Sequence, residues 1–369
     1  MRYIQLPAFI LLLFLNSCVQ ETTTEEGPKI IVLKESSDIL PISSFTGSVD
    51  YIELKLSGTG KTLGEVLSVK KIDDDWMLKH RMTGRTSFMR FNQSGEFITE
   101  LPREGEKRVT NPEDIIAYEN GYAMLAGNGI HAVSKDGKYQ RLLSDMKADG
   151  SRFFELGKRF YILNETGNGD LLTSVGTKSS KTKLNNVLPD MIQRMIYTSV
   201  EPIGKDHIDF YSVLSDTVFT RNKNEMKVAV VFTGDSIPTF AQLFRSLDKM
   251  EAKDRLKYLH ETEHVILRNY LENSDFMFLT FWVGSKSTTA IVNKQNGEIR
   301  YFGQGVNDID GGVWDEAFYL TSKNELVIPI SAYKVGVHKI RNKKAKGFDQ
   351  LQKRISSSDN PVLMCCKLK

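Results

Sequence analysis

Phe91-Asn92-Gln93-Ser94-Gly95-Glu96-Phe97 is the stretch on which the fold turns. An apolar residue closes one run, polar residues and a glycine follow, and a second apolar residue opens the next run. This is the arrangement of a tight hairpin between antiparallel strands. It returns at Val133-Ser134-Lys135-Asp136-Gly137-Lys138-Tyr139 and at Val292-Asn293-Lys294-Gln295-Asn296-Gly297-Glu298-Ile299. Gly95 and Gly137 stand 42 residues apart. Four-stranded propeller blades repeat every 40 to 45 residues or so, roughly this interval. Asn222-Lys223-Asn224-Glu225, between Phe219 and Val228, marks another such turn without glycine. Unrelated hairpins of a β-sandwich share the local pattern, and the turns alone leave that alternative open.

Outward from these turns, short apolar or alternating runs separated by turn residues predict strands. They include Lys29 to Leu33, Tyr51 to Leu56, Phe88 to Phe91, Gly121 to Leu125 and Phe160 to Leu163. Val228 to Phe232, Phe276 to Val283 and Leu326 to Ile330 follow. One segment departs from this. From Thr239 to about His260, Phe240, Leu243, Phe244, Leu247, Leu256 and Leu259 recur at helical spacing after Pro238. That periodicity predicts an amphipathic helical insertion near residues 239–262, packed on one face of the propeller.

Ahead of the strands, Arg2, the apolar core Ile10 to Leu15, and Leu15-Asn16-Ser17-Cys18 read as a lipoprotein signal peptide over residues 1–17, with Cys18 as the lipidated residue. The apolar core falls short of the roughly 20 residues that cross a bilayer. Residues 18–28, rich in Glu and Thr, are too polar to order themselves and form a flexible tether. The propeller domain then occupies residues 29–369. Val19 carries no aspartate-type inner-membrane retention signal, which favours delivery to the outer membrane, facing periplasm or medium. Of the three cysteines, Cys365 and Cys366 remain, and neighbours on a strand point to opposite faces, so both are free thiols. Stability must come from an apolar core.

Hydrophobic residues make up 40% of the chain and charged residues 26%, and 49 basic against 46 acidic side chains leave +3. Lys and Arg are scattered, and the densest cluster, Arg341 to Lys346, reads as a turn, so nucleic acid is not a partner.

The chain resembles the six-bladed β-propeller lipoproteins of Bacteroidetes, relatives of the NHL-type propellers. The residues carrying the likeness are Asp50-Tyr51-Ile52-Glu53-Leu54, taken to open the first blade, then Phe91 to Phe97, and Arg103-Glu104-Gly105-Glu106 running to Asn111-Pro112-Glu113-Asp114-Ile115. Ser215 to Phe219, Asn307-Asp308-Ile309-Asp310-Gly311-Gly312, and Asn360-Pro361-Val362-Leu363 leading into Lys367-Leu368-Lys369 complete it. The resemblance implies an all-β, six-bladed propeller in the cell envelope. It implies no activity.

Two groups of residues invite a chemical reading. His260-Glu261-Thr262-Glu263-His264 matches the His-Glu-x-x-His pattern, in which two histidines one helical turn apart hold zinc and the glutamate activates water. No Gly-x-x-His follows, and Glu272, only eight residues on, is close for a third ligand. Asp308, Asp310 and Trp314 form the other group. Paired carboxylates beside glycines suit a cation, and the indole suits a sugar or apolar ligand; the plainer alternative is a blade-connecting loop whose aspartates cap amides. Asn164 to Asp170 lacks the closing glutamate of a calcium loop, and no phosphate loop or Gly-x-Ser-x-Gly turn occurs. His80, His131, His207 and His338 are isolated. Phe276, Phe278 and Phe281 read as core, with Trp282 turned to the other face.

Together these readings predict a non-enzymatic, lipid-anchored propeller. It needs no cofactor and binds an envelope protein, peptide or glycan where loops converge. The alternative is a hydrolase or lyase, working through His260 and His264 with zinc or through channel carboxylates. A scaffold role for the helical insertion is a third reading.

Overall fold

The structure, a computed structural model, describes residues 28–56, 58–145, 150–164, 170–175, 180–183, 198–202, 207–212, 216–222, 225–247, 250–251, 254, 257–258, 261–339, 346–355 and 360–369. Residues 1–27, with the leader, Cys18 and most of the tether, lie outside them, as do Leu256, Leu259, His260 and residues 341–345 of the basic cluster.

The chain begins with β1 (Lys29–Leu33), β2 (Ile39–Pro41) and β3 (Thr46–Glu53). Four-stranded antiparallel meanders follow. Blade 1 is β4 (Glu65–Ile72), β5 (Asp75–Met82), β6 (Arg85–Phe91) and β7 (Phe97–Leu101). Blade 2 is β8 (Asp114–Tyr118), β9 (Gly121–Ala126), β10 (Gly129–Ser134) and β11 (Tyr139–Ser144). Blade 3 is β12 (Gly150–Leu156), β13 (Arg159–Asn164), β14 (Asp170–Val175) and β15 (Ser180–Lys183). Blade 4 is β16 (Thr198–Pro202), β17 (His207–Ser212), β18 (Thr217–Asn222) and β19 (Met226–Gly234). Blade 5 is β20 (Val265–Glu272), β21 (Phe276–Val283), β22 (Lys286–Asn293) and β23 (Ile299–Phe302), followed by the short β24 (Gln304–Val306). Blade 6 takes β25 (Tyr319–Leu320), β26 (Glu325–Ile330) and β27 (Val362–Leu368) from the C-terminus and β3 from the N-terminus. The first strands of blades 2 to 6 and then 1 touch in succession about the axis.

Asp50 to Leu54 therefore do not open the first blade. Asp50 to Glu53 lie on β3, the outermost strand of the last blade, paired with Cys365 to Val362. Pairing the chain's two ends closes the ring and leaves no blade unfinished.

Alternation along the strands supplies the packing. Each blade presents two apolar faces, and among the described residues six buried clusters result, one at every seam between neighbouring blades. Cys365 packs at the seam of blades 6 and 1 and Cys366 at that of blades 5 and 6, as opposite faces of one strand require. Both are buried and free.

The recurring glycines have a physical reason. In each turn a polar side chain binds amides ahead of it: Asn92 Oδ1 accepts from Ser94 and Glu96, and Ser134 Oγ from Lys138. Gly95 and Gly137 have φ of 83° and 82° and accept through their carbonyls from Lys55 N (2.8 Å) and Arg103 N (2.9 Å), just beyond the last strand of the preceding blade. The hairpin signal thus marks a contact between blades. Asn222 N donates to Glu225 O, so the turn without glycine is also a blade turn.

Between β19 and β20 lies the helical insertion. It begins with α1 (Phe240–Ser246), and Asp254, Lys257, Tyr258 and Glu261 are also helical. Thr239 and Gln242 cap it reciprocally: Gln242 N donates to Thr239 Oγ1 (3.3 Å) and Thr239 N to Gln242 Oε1 (3.0 Å). Phe240, Leu243 and Leu247 are buried at the seam of blades 4 and 5. A second excursion, between β26 and β27, carries α2 (Ala332–Val337) and α3 (Lys346–Arg354). Phe348, Leu351 and Ile355 recur there at helical spacing, and the first two are buried at the seam of blades 5 and 6. Together with residues 303–318, these segments leave the strands at the end that also carries the second-to-third-strand turns, such as Met82/Arg85 and Val283/Lys286, opposite the turns of Gly95 and Gly137.

β1 adds a fifth, parallel strand to blade 4, with Ile31 opposite Phe232. The chain then crosses blade 5, where Tyr301 Oη donates to Val32 O (2.7 Å) and Ser36 N to Thr288 Oγ1 (3.2 Å), and β2 runs parallel to β24. Residues 29–45 form a strap over blades 4 and 5.

Candidate functional site

Blade 5 turns one face to blade 6, and along β21 that face carries Phe276, Phe278, Thr280 and Trp282. Burial falls in the same order: Phe276 and Phe278 are in the core, Thr280 is half-buried, and Trp282 is 41% exposed. The partners on β22 follow suit, with Ile291 opposite Phe278, Thr289 opposite Thr280 and Ser287 opposite Trp282. The seam is apolar at the end of the β20–β21 turn and polar at the other, where it opens.

Arg268 enters this opening from a bulge in β20, where register shifts between Leu267 and Asn269, and its guanidinium lies over the Trp282 ring, 4.8 Å from the centroid. Facing it are residues of the segment from Gly303 to Ala317. Asn269 Nδ2 donates to Ala317 O (2.6 Å) and pins this wall to blade 5. Asp315 pairs with Lys334 of α2. Trp314 lies flat against Gly305, where a Cβ would meet the indole Nε1 at 2.6 Å, so only glycine lets it sit there. Phe45 meets Trp314 edge-on at 5.8 Å.

The cleft holds about 280 Å³ between Trp282 and Trp314. Among the described residues, the side chains of Arg268, Thr280, Ser287, Thr289, Gln304 and Glu316 line it and have no hydrogen-bond partner. Burial raises the Glu316 carboxyl above its ordinary value, with Arg268 opposing and Asp315 adding to the shift. A half-buried guanidinium, a carboxyl, three hydroxyls and an amide with unspent hydrogen-bonding capacity, between two indoles, suit a ligand rich in hydroxyls with an apolar ring face.

Of the residues the sequence singled out, Trp314 lines this cleft, and Asp308 and Asp310 hold the loop beside it. Asp308 accepts from Ser43 N (2.9 Å) and Ser43 Oγ (2.5 Å); burial raises its pKa, but these bonds outweigh it and leave the carboxyl below its usual range. Asp310 Oδ1 accepts from Gly312 N (3.0 Å), Asn307 Nδ2 (2.7 Å) and Tyr51 Oη (3.2 Å). These are capping bonds. Arg268, Thr280, Ser287 and Thr289 were missed, although a threonine inside the apolar run Phe276 to Val283 was a signal that one face changes character.

His260 lies outside the described residues. His264 stands past the helix end: Thr262 N makes a helical bond to Tyr258 O (3.0 Å), and β20 starts at Val265. The His264 ring meets Phe240 at 5.7 Å and its Nδ1 is 2.8 Å from Thr262 O. Glu261 is exposed and pairs weakly with Lys257. Among the described residues no group of three His, Cys, Asp or Glu side chains is placed to hold a metal ion. His80, in blade 1, accepts Gly64 N at Nδ1 (3.2 Å) and contacts Ser87 Oγ, which donates to Glu100 (2.8 Å). With Nδ1 accepting from Gly64, the neutral ring carries its proton on Nε2 facing Ser87 Oγ, so the imidazole is not placed as a base for the serine. Of the calcium-loop stretch, residues 165–169 lie outside the described residues.

Ring, closure and cleft define a six-bladed β-propeller with a polar, tryptophan-lined hollow at one seam. The chain belongs to the family described as Domain of unknown function (DUF4934), whose model matches residues 28–367. The crystal structure of a Bacteroides fragilis NCTC 9343 protein presumed to be exported is similar over 92% of this chain and all of its own, with 12% identity and a TM-score of 0.72. A member of the DUF4221 family from Bacteroides vulgatus ATCC 8482 aligns over 88% of this chain and 97% of its own, at 8% identity and a TM-score of 0.47. The first of these supports the fold. No curated protein matches. Among the described residues no helix is long and apolar enough to cross a membrane.

Proposed function

We propose that the protein is a non-enzymatic binding module of the cell envelope, held at the outer membrane by lipid on Cys18, and that it takes a saccharide in the cleft between Trp282 and Trp314. The observation that carries this is the concentration of unpaired polar side chains between two indoles. Arg268, Thr280 and Thr289 are half-buried there, and folding leaves few such groups without partners unless something else supplies them, while Ser287, Gln304 and Glu316 stand exposed at the rim. Hydroxyls of a sugar supply both donors and acceptors, and its C–H face packs on indole. Asp308 and Asp310 hold the loop that presents Trp314. Peptide and protein ligands offer fewer hydroxyls per unit area and fit less well.

Nuclear magnetic resonance of the indole N–H groups tests it. Of the three tryptophans Trp76 is buried in the core, so a saccharide should shift Trp282 and Trp314 saturably and leave Trp76 in place. Arg268→Ala and Thr289→Val should weaken the response tenfold or more. Shifts produced by peptides alone, or by no glycan, would overturn the reading. Loss of fatty-acid labelling and of membrane association in Cys18→Ala tests the anchor separately.

A further inference from the structure

We propose that the saccharide is a linear chain of several units, and that Trp314 is the ridge over which it passes between two adjoining subsites. This rests on the saccharide reading of the cleft. Beside the cleft lies a second hollow of about 470 Å³, reached past Gln304, Gly305 and Trp314, which line both. Its far wall is His338 and Lys339, from the end of α2, and its floor is the loop from Asn307 to Val313. The first hollow alone falls just below the roughly 300 to 1,000 Å³ usual for ligand sites, and the second lies within that range.

The construction of the ridge supports a platform rather than a plug. Gly305 behind the indole and Phe45 at its edge fix the ring, and it stays half-exposed. A fixed aromatic surface binds a sugar ring with little ordering entropy to lose. The two hollows also differ in chemistry. The first offers Arg268 and Glu316, while in the second Asp308 is spent on Ser43 and His338 Nε2 on Gly311 O (2.9 Å), leaving the Lys339 ammonium without a partner among the described residues. The first subsite would set specificity and the second would add length.

Isothermal titration of the full mature domain with cello-, xylo-, manno- and chito-oligosaccharides of one to six units tests the proposal. For the series that binds, affinity should rise at least tenfold between two units and four and then level off. Trp314→Ala should abolish that rise, Trp314→Phe should keep part of it, and Lys339→Ala should lower affinity for chains of four to six units several-fold. Thermal melts of each variant identify misfolding, and the Phe variant keeps the comparison valid should the Ala variant fail to fold. Affinity independent of length, or a length dependence unchanged by Trp314→Ala, would overturn the two-subsite groove and leave the cleft reading standing. If no oligosaccharide in any series binds, both fall.

Discussion

Glu272 ends β20 with its side chain 1% exposed. Lys294 Nζ lies 2.5 Å from Oε1 and also donates to Asn273 O (3.0 Å), and the Asp209 carboxylate lies on the other side, near enough to share a hydrogen bond with a protonated Glu272. Burial, joined by the neighbouring Asp209 carboxylate, raises the Glu272 pKa from 4.5 to about 8 against the pull of Lys294. Between those values the native state holds a proton that the unfolded chain has released. The stability this group contributes is therefore complete below about pH 4.5 and is lost as pH rises through 8. Glu272→Gln should raise the urea midpoint at pH 8.5 and change it little at pH 4.5, with a ceiling of about 1.4 kcal/mol for each unit of raised pKa. Equal effects at both pH values would show an ordinary carboxyl. The thiols follow the same physics. Burial pushes Cys365 up to about 12 and Cys366 higher still, so neither should react with a disulfide reagent at pH 8 until the protein unfolds.

At the scale of elements, three glycines in equivalent turns are not equivalent. All have positive φ, but a Cβ on Gly95 would lie 2.2 Å from Glu53 O and one on Gly137 2.7 Å from Glu100 O, whereas Gly297 has open space. Gly297→Ala should cost only the backbone strain of a left-handed alanine, about 1 to 2 kcal/mol. Gly95→Ala should cost distinctly more, because it must also push apart two blades, and denaturant melts of the two variants give the comparison. The strap supplies a second test. Ile31 is fully buried at the seam of blades 4 and 5, and Ile31→Ala should destabilise by about 2 to 5 kcal/mol. A loss below 1 kcal/mol in urea titration would mean that β1 is a loose addition.

For the whole molecule the decisive feature is closure. Six apolar seams form a ring only if blade 6 exists, and blade 6 exists only if β27 joins β26 to β3. Val362, Leu363, Met364 and Cys366 are all fully buried. Removing residues 362–369 should abolish the single cooperative unfolding transition followed by circular dichroism, since it opens two seams at once. Removing residues 29–34 should lower the midpoint but keep one transition, because β1 lies outside the ring. Identical behaviour of the two truncations would contradict the closure.

Much of this was already written in the chain. Asn92 to Gly95 and Ser134 to Gly137 encode turns through local bonds, alternation encodes two-faced blades, and Thr239, Gln242, Phe240 and Leu243 encode the insertion; each depends on neighbours a few residues apart. The place of Asp50 to Glu53 could not be read the same way, because β3 looks like any strand until Val362 to Leu368 lies beside it. The site divides along the same line. Trp314 and its glycines stood out locally, while Arg268, Thr280 and Thr289 acquired meaning only when residues 303–317 came to face them across a seam. Local sequence determined the strands, turns and faces; tertiary structure alone decided which polar face stays uncovered, because that depends on contacts between segments far apart in the chain.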